Sequence, residues 1–535
     1  MSLHRVALLS CCLVFLAPLS GKSQTAPQDR PEAGGETRAA SPIELGGRRE
    51  LFVDDFLIDR LEGASLVMHA PRDEGIVLRF DRPWEGLFSG YATVIKDGYR
   101  YRLYYRGRPE GGADGSPIEV TCYAESLDGI HWVKPKLRDT PSHRGTNIVL
   151  YDAAPATHNF SPFLDRSPKA TPDARFKAIA GTITSGLLAF ASADGIHWRK
   201  LFDEPVLRRE DVPFRYMFDS QNVAFWSDTE DCYVCYFRVF QGGVRRIART
   251  TSDDFRHWSK PVLMEYRHRG GDAPIEHLYT NQTHPYFRAP HIYVSVAARF
   301  VPGRRVISAD EARAIGVHPR YFGDTSDAIL MTTRGGNTYQ RTFLSSFIRP
   351  GIGARNWVSR TNYPGYHIVP TGPNEMSIYV NQDYAQPTAH LRRYSLRLDG
   401  FASVRAPYAG GTLVTKTFTF AGDTLELNFS TSAAGSIRVE LQDEGGQPVP
   451  GFTLNDCVPL IGNEIARTVA WKGGKSLGQW RGKPVRLRFS LRDADLFSLR
   501  FRPQATTTPP AARPATADRP AGGQPTGSRS DTVNP

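Results

Sequence analysis

Ser126-Leu127-Asp128-Gly129-Ile130-His131-Trp132 returns as Ser192-Ala193-Asp194-Gly195-Ile196-His197-Trp198, and more loosely as Ser252-Asp253-Asp254-Phe255-Arg256-His257-Trp258. Two degenerate copies follow, Thr333-Arg334-Gly335-Gly336-Asn337-Thr338-Tyr339 and Ser395-Leu396-Arg397-Leu398-Asp399-Gly400-Phe401. Between the turn residues at 128, 194, 254, 336 and 399 the steps are 66, 60, 82 and 63 residues. A period of this size signals radially repeated units. Asp-Gly supplies the positive-φ turn that joins antiparallel strands. The Trp four residues after the Asp offers a large apolar face to a neighbouring sheet. Five copies predict a five-bladed β-propeller. An Asp and a His recur in every clear copy, and a ligand would not recur once per blade, so the motif reads as a blade-edge turn.

Strand-like runs fill the intervals. Blade one is expected over about residues 76–138, blade two over 147–206, blade three over 216–265 and blade four over 276–347. Blade five uses His367–Pro370, Met376–Asn381 and His390–Leu396. Blade four carries an Arg- and Gly-rich insertion, Val301–Ser326, with a short helix expected over Ala309–Ile315; it accounts for the 82-residue step. Long loops in compact domains are often functional. Arg49-Glu50-Leu51-Phe52-Val53-Asp54-Asp55-Phe56-Leu57-Ile58 reads as an N-terminal strand that closes the ring against the last blade. From 407 to 502 the repeat stops and alternating strands continue, as in an appended sandwich. The predicted fold class is all-β: a five-bladed β-propeller (46–406) followed by a C-terminal β-sandwich (407–502).

Residues 1–23 read as a secretory signal, with His4 and Arg5 ahead of an apolar run from Val6 to Leu19 and small residues after it. A lipoprotein reading of Leu8–Cys11 is weaker, because apolar residues continue past Cys11. Residues 24–45 and 503–535 read as a disordered linker and tail, rich in Pro, Gly, Ala, Ser and Thr. No later apolar run is long enough to span a membrane, so a secreted or periplasmic protein without stable membrane insertion is expected. The chain has 535 residues and a net charge of +11, from 66 Lys+Arg and 55 Asp+Glu. That charge is spread, which suits an anionic glycan. No basic stripe or nucleic-acid module is visible, and no nucleic-acid partner is expected. Cys232-Tyr233-Val234-Cys235 lies in a strand, where i and i+3 face opposite sides. With no second pair to complete a zinc site, Cys122, Cys232, Cys235 and Cys457 read as buried structural cysteines.

In a propeller the inner strands line a central channel, so chemistry is expected at their starts. The polar and aromatic residues there are Trp84 and Glu85 in blade one, and His158 and Asn159 in blade two. Blade three adds Asp219, Ser220, Gln221 and Asn222. Blade four adds Glu276, His277, Tyr279, Asn281 and Gln282, blade five Tyr366 and His367, and the closing strand Asp54 and Asp55. Carboxylates, amides and aromatic faces together suit a sugar.

Residues 49–408 resemble the five-bladed propeller glycoside hydrolases of families 32 and 43. Arg49–Ile58 and the Ser-x-Asp-Gly-x-x-Trp repeats look like a branch of uncharacterised secreted bacterial proteins described as family-32-like. The resemblance implies carboxylates from blades one, two and three acting as nucleophile or base, transition-state stabiliser and acid. The Trp-Met-Asn-Asp-Pro-Asn-Gly, Arg-Asp-Pro and Glu-Cys motifs of family members are missing, and Asp165-Arg166-Ser167-Pro168 reads as a hairpin turn. The working assignment makes Asp54 or Asp55 the nucleophile or base and Asp219 or Glu276 the general acid. His158 and His277 orient the substrate, and Trp84, Glu85, Asn159, Gln221, Asn222, Tyr279, Tyr366 and His367 bind it. Some family 43 propellers hold calcium near a channel His, so a structural divalent cation at His158, His277 or His367 is admitted, although no ligand spacing calls for it. No other cofactor is expected.

Plainer readings stand beside these. Asp54-Asp55 caps strand ends, Asp219-Ser220 forms an Asx turn, Glu85 is a surface residue, and Trp84 packs. Two alternatives to a hydrolase are a non-catalytic, lectin-like propeller and a sialidase-like enzyme. Three of the arginines such as Arg215, Arg238, Arg355 and Arg360 gathered in the channel would count for an acidic sugar.

Overall fold

In the computed structural model, which describes residues 41–137 and 143–503, the repeat is explained by one turn built three times. Asp128 Oδ1 accepts the backbone N–H groups of Ile130 and His131, both at 2.8 Å, and the Ser126 hydroxyl at 2.8 Å. Its Oδ2 lies 2.7 Å from His131 Nδ1. Asp194 repeats this with His197, and Asp254 with His257, again at 2.7 Å. The recurring Ser, Asp and His thus bracket a turn.

Each turn is received by the preceding blade. The Tyr379 hydroxyl of blade five donates to Gly129 O (2.5 Å), and Tyr104 of blade one donates to Gly195 O (2.8 Å). Gly129 and Gly195 have φ of +75° and +76°, and a Cβ on either would meet those hydroxyls at 2.9 and 2.6 Å. Trp132 packs edge-on against Tyr379 at 5.8 Å, and Trp198 against Tyr104 at 6.0 Å. In the third copy Phe255 takes over the contact, 5.6 Å from Phe163 of blade two. The degenerate copies keep the plan: Glu230 of blade three accepts Gly336 N–H at 3.2 Å, and Tyr286 of blade four donates to Asp399 at 2.8 Å.

Five sheets form the blades, antiparallel throughout except where Glu265–His268 runs parallel to Thr338–Gln340 at the edge of blade four. Blade one runs outward through Gly90–Asp97, Arg100–Gly107, Val120–Ser126 and Ile148–Leu150. Blade two uses Ser161–Leu164, Phe176–Ala180, Leu188–Ser192 and Arg199–Lys200. Blade three uses Val223–Ser227, Cys232–Gln241, Val244–Ser252 and Val262–Leu263. Blade four has a broken inner strand, His277–Thr280 and His284–Tyr286, followed by Ala289–Val301 and Thr325–Thr333. Its insertion contains the helix Ala309–Ala314, capped by Ser308, as the sequence predicts. Blade five is built on Glu375–Gln382 and His390–Arg397.

The closing strand differs from expectation. Arg72–Arg79, placed partly in blade one from sequence, pairs with His390–Arg397 and completes blade five. The segment Arg49–Leu51 pairs instead with residues 498–500. Ile43–Gly46, Ile58–Glu62 and Ser65–Met68 also join strands from 402–420. The sandwich is therefore made from both ends of the described chain, on a core that includes Leu45, Phe52, Phe418, Leu427, Phe489 and Phe501. Ile43, Glu44 and Leu45, read as linker, already lie in a strand. Arg49-to-Ile58 is a poor ring-closing strand because its apolar residues are spent on this core and on blades four and five. The readings of residues 1–23, of 24–40 and of the tail from 504 lie outside the described residues. Cys122, Cys232, Cys235 and Cys457 are buried and unpaired. No helix among the described residues is long and apolar enough to cross a membrane.

Candidate functional site

The inner strands begin at one face of the ring, here the upper mouth, and end at the other. Between the two mouths the channel is shut by amides. Gln221 Nε2 donates to Thr93 Oγ1 (2.9 Å), while Gln282 Nε2 donates to Gln221 Oε1 (2.7 Å) and Pro364 O (2.8 Å). The Tyr366 hydroxyl adds a bond to Ala224 O at 2.9 Å. Gln221 and Tyr366, expected to bind substrate, instead tie blades one, three, four and five together.

The upper mouth holds two carboxylates, from blades one and three. Asp219 precedes the inner strand of blade three. Asp114 comes from the connection between the second and third strands of blade one, Arg108–Glu119, which the sequence reading did not search. The two carboxyl groups are close neighbours, and their side chains remain 42% and 39% exposed. Asp219 is also ion-paired with Arg238, which is 1% exposed. Burial pushes the Asp114 pKa up, but His158, Arg106 and Arg108 outweigh it and hold Asp114 below the usual carboxylate range.

Beneath Asp114 lies a buried layer. His158 Nδ1 is 3.0 Å from Glu119 and 3.1 Å from Arg106 Nη1, and Arg108 Nη1 is 2.7 Å from Glu119 Oε1 and 3.2 Å from Asp114. Glu119 is held low: the burial penalty is outweighed by the His158 hydrogen bond and by Arg106 and Arg108. Asp114, Glu119 and His158 bring donor atoms within 4.8 Å of one another, which is where a divalent cation would be sought. Arg108 already contacts both carboxylates and Arg106 already contacts the His158 ring. With two guanidiniums neutralising the two acids, the set does not fit a divalent cation. His277 and His367 join no other such cluster among the described residues.

Tyrosines and arginines make up the rest of the mouth. Arg106 lies 4.7 Å over Tyr91, and Tyr279 stands 5.1 Å from Tyr363. The blade-four insertion reaches across, placing Tyr321 and His318 each 5.5 Å from Phe88 of blade one. Tyr91, Phe218, Gln282 and Arg360 hold φ of +54°, +69°, +55° and +57°. Left-handed backbone in bulky residues is costly and tends to gather at functional sites.

Other expected site residues sit elsewhere. Asp54 is buried and capped, accepting Phe56 N–H at 3.1 Å, with Arg334 ion-paired to it and to Glu50. It joins the sandwich to the blade-four turn and is not in the channel; Asp55 is exposed beside Lys416. Neither can serve as the nucleophile of this mouth. Glu276 is clamped by Arg299 (2.8 Å) and Arg341 (2.6 Å). Its burial penalty is outweighed by those arginines and its pKa is lowered, the wrong direction for a general acid. Glu85 is fully buried on Tyr105 (2.5 Å) and Lys134 (2.6 Å), and Trp84 bonds Asn147 at 2.8 Å; both are blade-one packing. Asn159 donates to the Gly181, Phe218 and Ser220 carbonyls and so splices blades two and three, while Asn222 donates to Phe218 O within blade three. His277 accepts Arg245 N–H at 3.4 Å, near Tyr279, at the mouth.

The lower mouth is of another kind. A cavity of about 360 Å³ opens there between the ends of all five inner strands, lined among others by Phe163, Phe225, Phe287, Ile368, His284 and His367. His367, expected to bind substrate, faces this side and stacks on Tyr366 at 3.8 Å.

No family model matches the chain, and no curated protein matches it. Among solved structures it is similar to one titled glycoside hydrolase (11% identity, TM-score 0.42, 61% of this chain and 92% of that one). Another is an N-acetylgalactosamine deacetylase from F. plautii in complex with blood group B trisaccharide (14%, 0.39, 63% and 97%). A third is a fructofuranosidase from Schwanniomyces occidentalis complexed with fructosylnystose (12%, 0.34, 81% and 98%). The propeller itself rests on the strand ladders above, not on these superpositions.

Proposed function

We propose that this is an exported, carbohydrate-active enzyme that cleaves a glycosidic bond at the upper mouth, with Asp114 and Asp219 as its acid–base pair. The observation that carries the reading is the placing of these two half-exposed carboxyl groups side by side at one mouth. Two neighbouring carboxyls at one mouth can divide the roles of acid and base between them. Glycoside hydrolysis asks for those two roles on opposite sides of the scissile bond. Working carboxyl pairs stand about 5 Å apart in retaining enzymes and about 6.5–9.5 Å in inverting ones. Asp114 rides on a loop containing Gly111, Gly112 and Gly115, which lets it give way as a sugar enters. His158, Arg106 and Arg108 keep Asp114 ionised as the base, and the tyrosines offer stacking faces.

The test is hydrolysis of a panel of oligosaccharides by the wild type and by Asp114→Asn and Asp219→Asn. Loss of about 100-fold or more in at least one variant is expected for an acid or base; full activity in both sinks the assignment. The ion pair of Asp219 with the buried Arg238, which opposes the acid role, favours a second reading, a lectin-like propeller. Sugar binding by the wild type with no turnover on any panel member would establish that one. Export is checked separately by N-terminal sequencing of the mature protein, expected to begin near residue 24.

A further inference from the structure

Three guanidiniums converge on the ring of Tyr279. Arg238 lies 4.5 Å over it, Arg245 5.2 Å and Arg360 5.5 Å. They come from the second and third strands of blade three and from the start of blade five. Asp219 is the one carboxylate they contact, through Arg238; among the described residues neither Arg245 nor Arg360 is paired with an acid. Arg245 has His277 at 3.4 Å and Arg360 has the Tyr321 hydroxyl at 3.4 Å. Three positive charges against one negative leave an excess of two at this side of the mouth. Arg238 is 1% exposed, yet its Nε and Nη1 have no hydrogen-bond partner, nor has Arg245 Nε. Buried donors without acceptors are costly unless a ligand supplies them. Burial and the nearby charges of Arg238 and Arg360 lower the Arg245 pKa. Elsewhere the chain matches such charges: Arg106 and Arg108 face Glu119 and Asp114, and Arg299 and Arg341 face Glu276.

We infer that Arg238, Arg245 and Arg360 form a subsite for the anionic group of an acidic sugar, a carboxylate or a sulfate. This rests on the reading of the upper mouth as the sugar site. Guanidinium forks match both anions in bidentate geometry, and the Tyr279 and Tyr363 rings supply an apolar wall. The anion takes the place of the missing acceptors, and the sugar ring that bears it is brought against the Asp114–Asp219 pair.

Isothermal titration of the full chain with trigalacturonate, its methyl ester, and a neutral-backbone disaccharide monosulfate separates the cases. Wild type is expected to bind at least one acidic probe about tenfold or more tighter than the ester, with affinity falling as salt rises. Arg245→Met and Arg360→Met are expected to erase that preference while leaving ester binding within about twofold. Both side chains are partly exposed, so folding is retained, and Arg360→Lys, which keeps charge but loses the fork, gives an intermediate affinity. Carboxylate and sulfate are told apart by which acidic probe shows the preference. Equal binding of acid and ester, equal weakening of both by the variants, or no binding of either acidic probe overturns the inference. Acid-selective binding without turnover upholds this subsite and removes the hydrolase; turnover of neutral sugars without acid preference does the reverse.

Discussion

The two mouths of one channel are built from opposite materials. The upper mouth is crowded with Asp114, Asp219, Arg238, Arg245, Arg360 and tyrosines, and the cavity beneath it, among Tyr91, Arg106, Tyr363 and Tyr384, is about 20 Å³, room for about one water. The lower mouth holds about 360 Å³, walled mainly by apolar and aromatic side chains, with Lys96, Arg166 and Asp228 as its charged members. Volume and chemistry have been separated by the Gln221–Gln282 belt. Apolar space is what remains when five tapering strand ends fail to meet. Charge and left-handed backbone, by contrast, have to be held in place by surrounding structure. The upper mouth is therefore the one that reports function, although it is the smaller hole.

The largest expected effect is on the upper mouth alone. Asp219→Asn should cut turnover by about 100-fold or more, a larger effect than its cost in stability, which arises because Asp219 is the one acid paired with the buried Arg238. A comparable loss from any lower-mouth substitution would break the division. Next, Phe163→Ala should cost about 3–5 kcal/mol, since Phe163 is 1% exposed within the core shared by blades two and three. Urea unfolding should show this loss with kcat/KM unaltered below the transition.

Acid should also find the lower mouth first. Burial pushes His284 down to about 4 from 6.5, so the unfolded chain takes up a proton that the folded chain refuses. Stability then falls as pH drops from about 6.5 to 4, by roughly 3 kcal/mol. Denaturation midpoints measured from pH 8 to 4 should show the slope, and His284→Asn should reduce it, the buried His367 keeping the remainder. The upper-mouth acids run the other way: Glu119 and Asp114 are depressed, and their contribution persists until pH falls below about 4. A wild-type midpoint flat from pH 7 to 4 would contradict this. The smallest effect probes the ring. Tyr379→Phe removes the hydroxyl bond to Gly129 and should cost about 1 kcal/mol, with neither mouth altered; a loss of activity larger than the loss of stability would tie the blade edge to the site.

The ring was legible because its signal is local. Ser126, Asp128, His131 and Trp132 lie within seven residues and recur, so the sequence carries both turn and spacing. The site was legible in part. Asp219, His158, Tyr279, Arg238 and Arg360 were reached by looking at inner-strand starts and at arginines. Asp114 and Glu119 were not, although they lie on the same face, because they enter through a connection between second and third strands. Their signal was length: residues 108–119 and 302–324 are long connections of this type, where blade three turns on Gly242-Gly243. Asp54 and Glu276 misled for a different reason. A carboxylate's role depends on which arginine meets it, and Arg334, Arg299 and Arg341 arrive from 23 to 280 residues away.

The sandwich shared by the two ends of the described chain has a consequence for the order in which the molecule is made. Residues 43–68 leave the ribosome early, yet their partners at 402–420 and 485–502 are among the last described residues to follow. Such pairings across more than three hundred residues form late. Blade five waits in the same way, for Arg72–Arg79 to meet His390–Arg397. Nascent chains halted before residue 390 should thus expose the N-terminal strands to protease, while blades two and three, whose strands are all local, resist it. A single clipped strand at either end would unlatch the same domain.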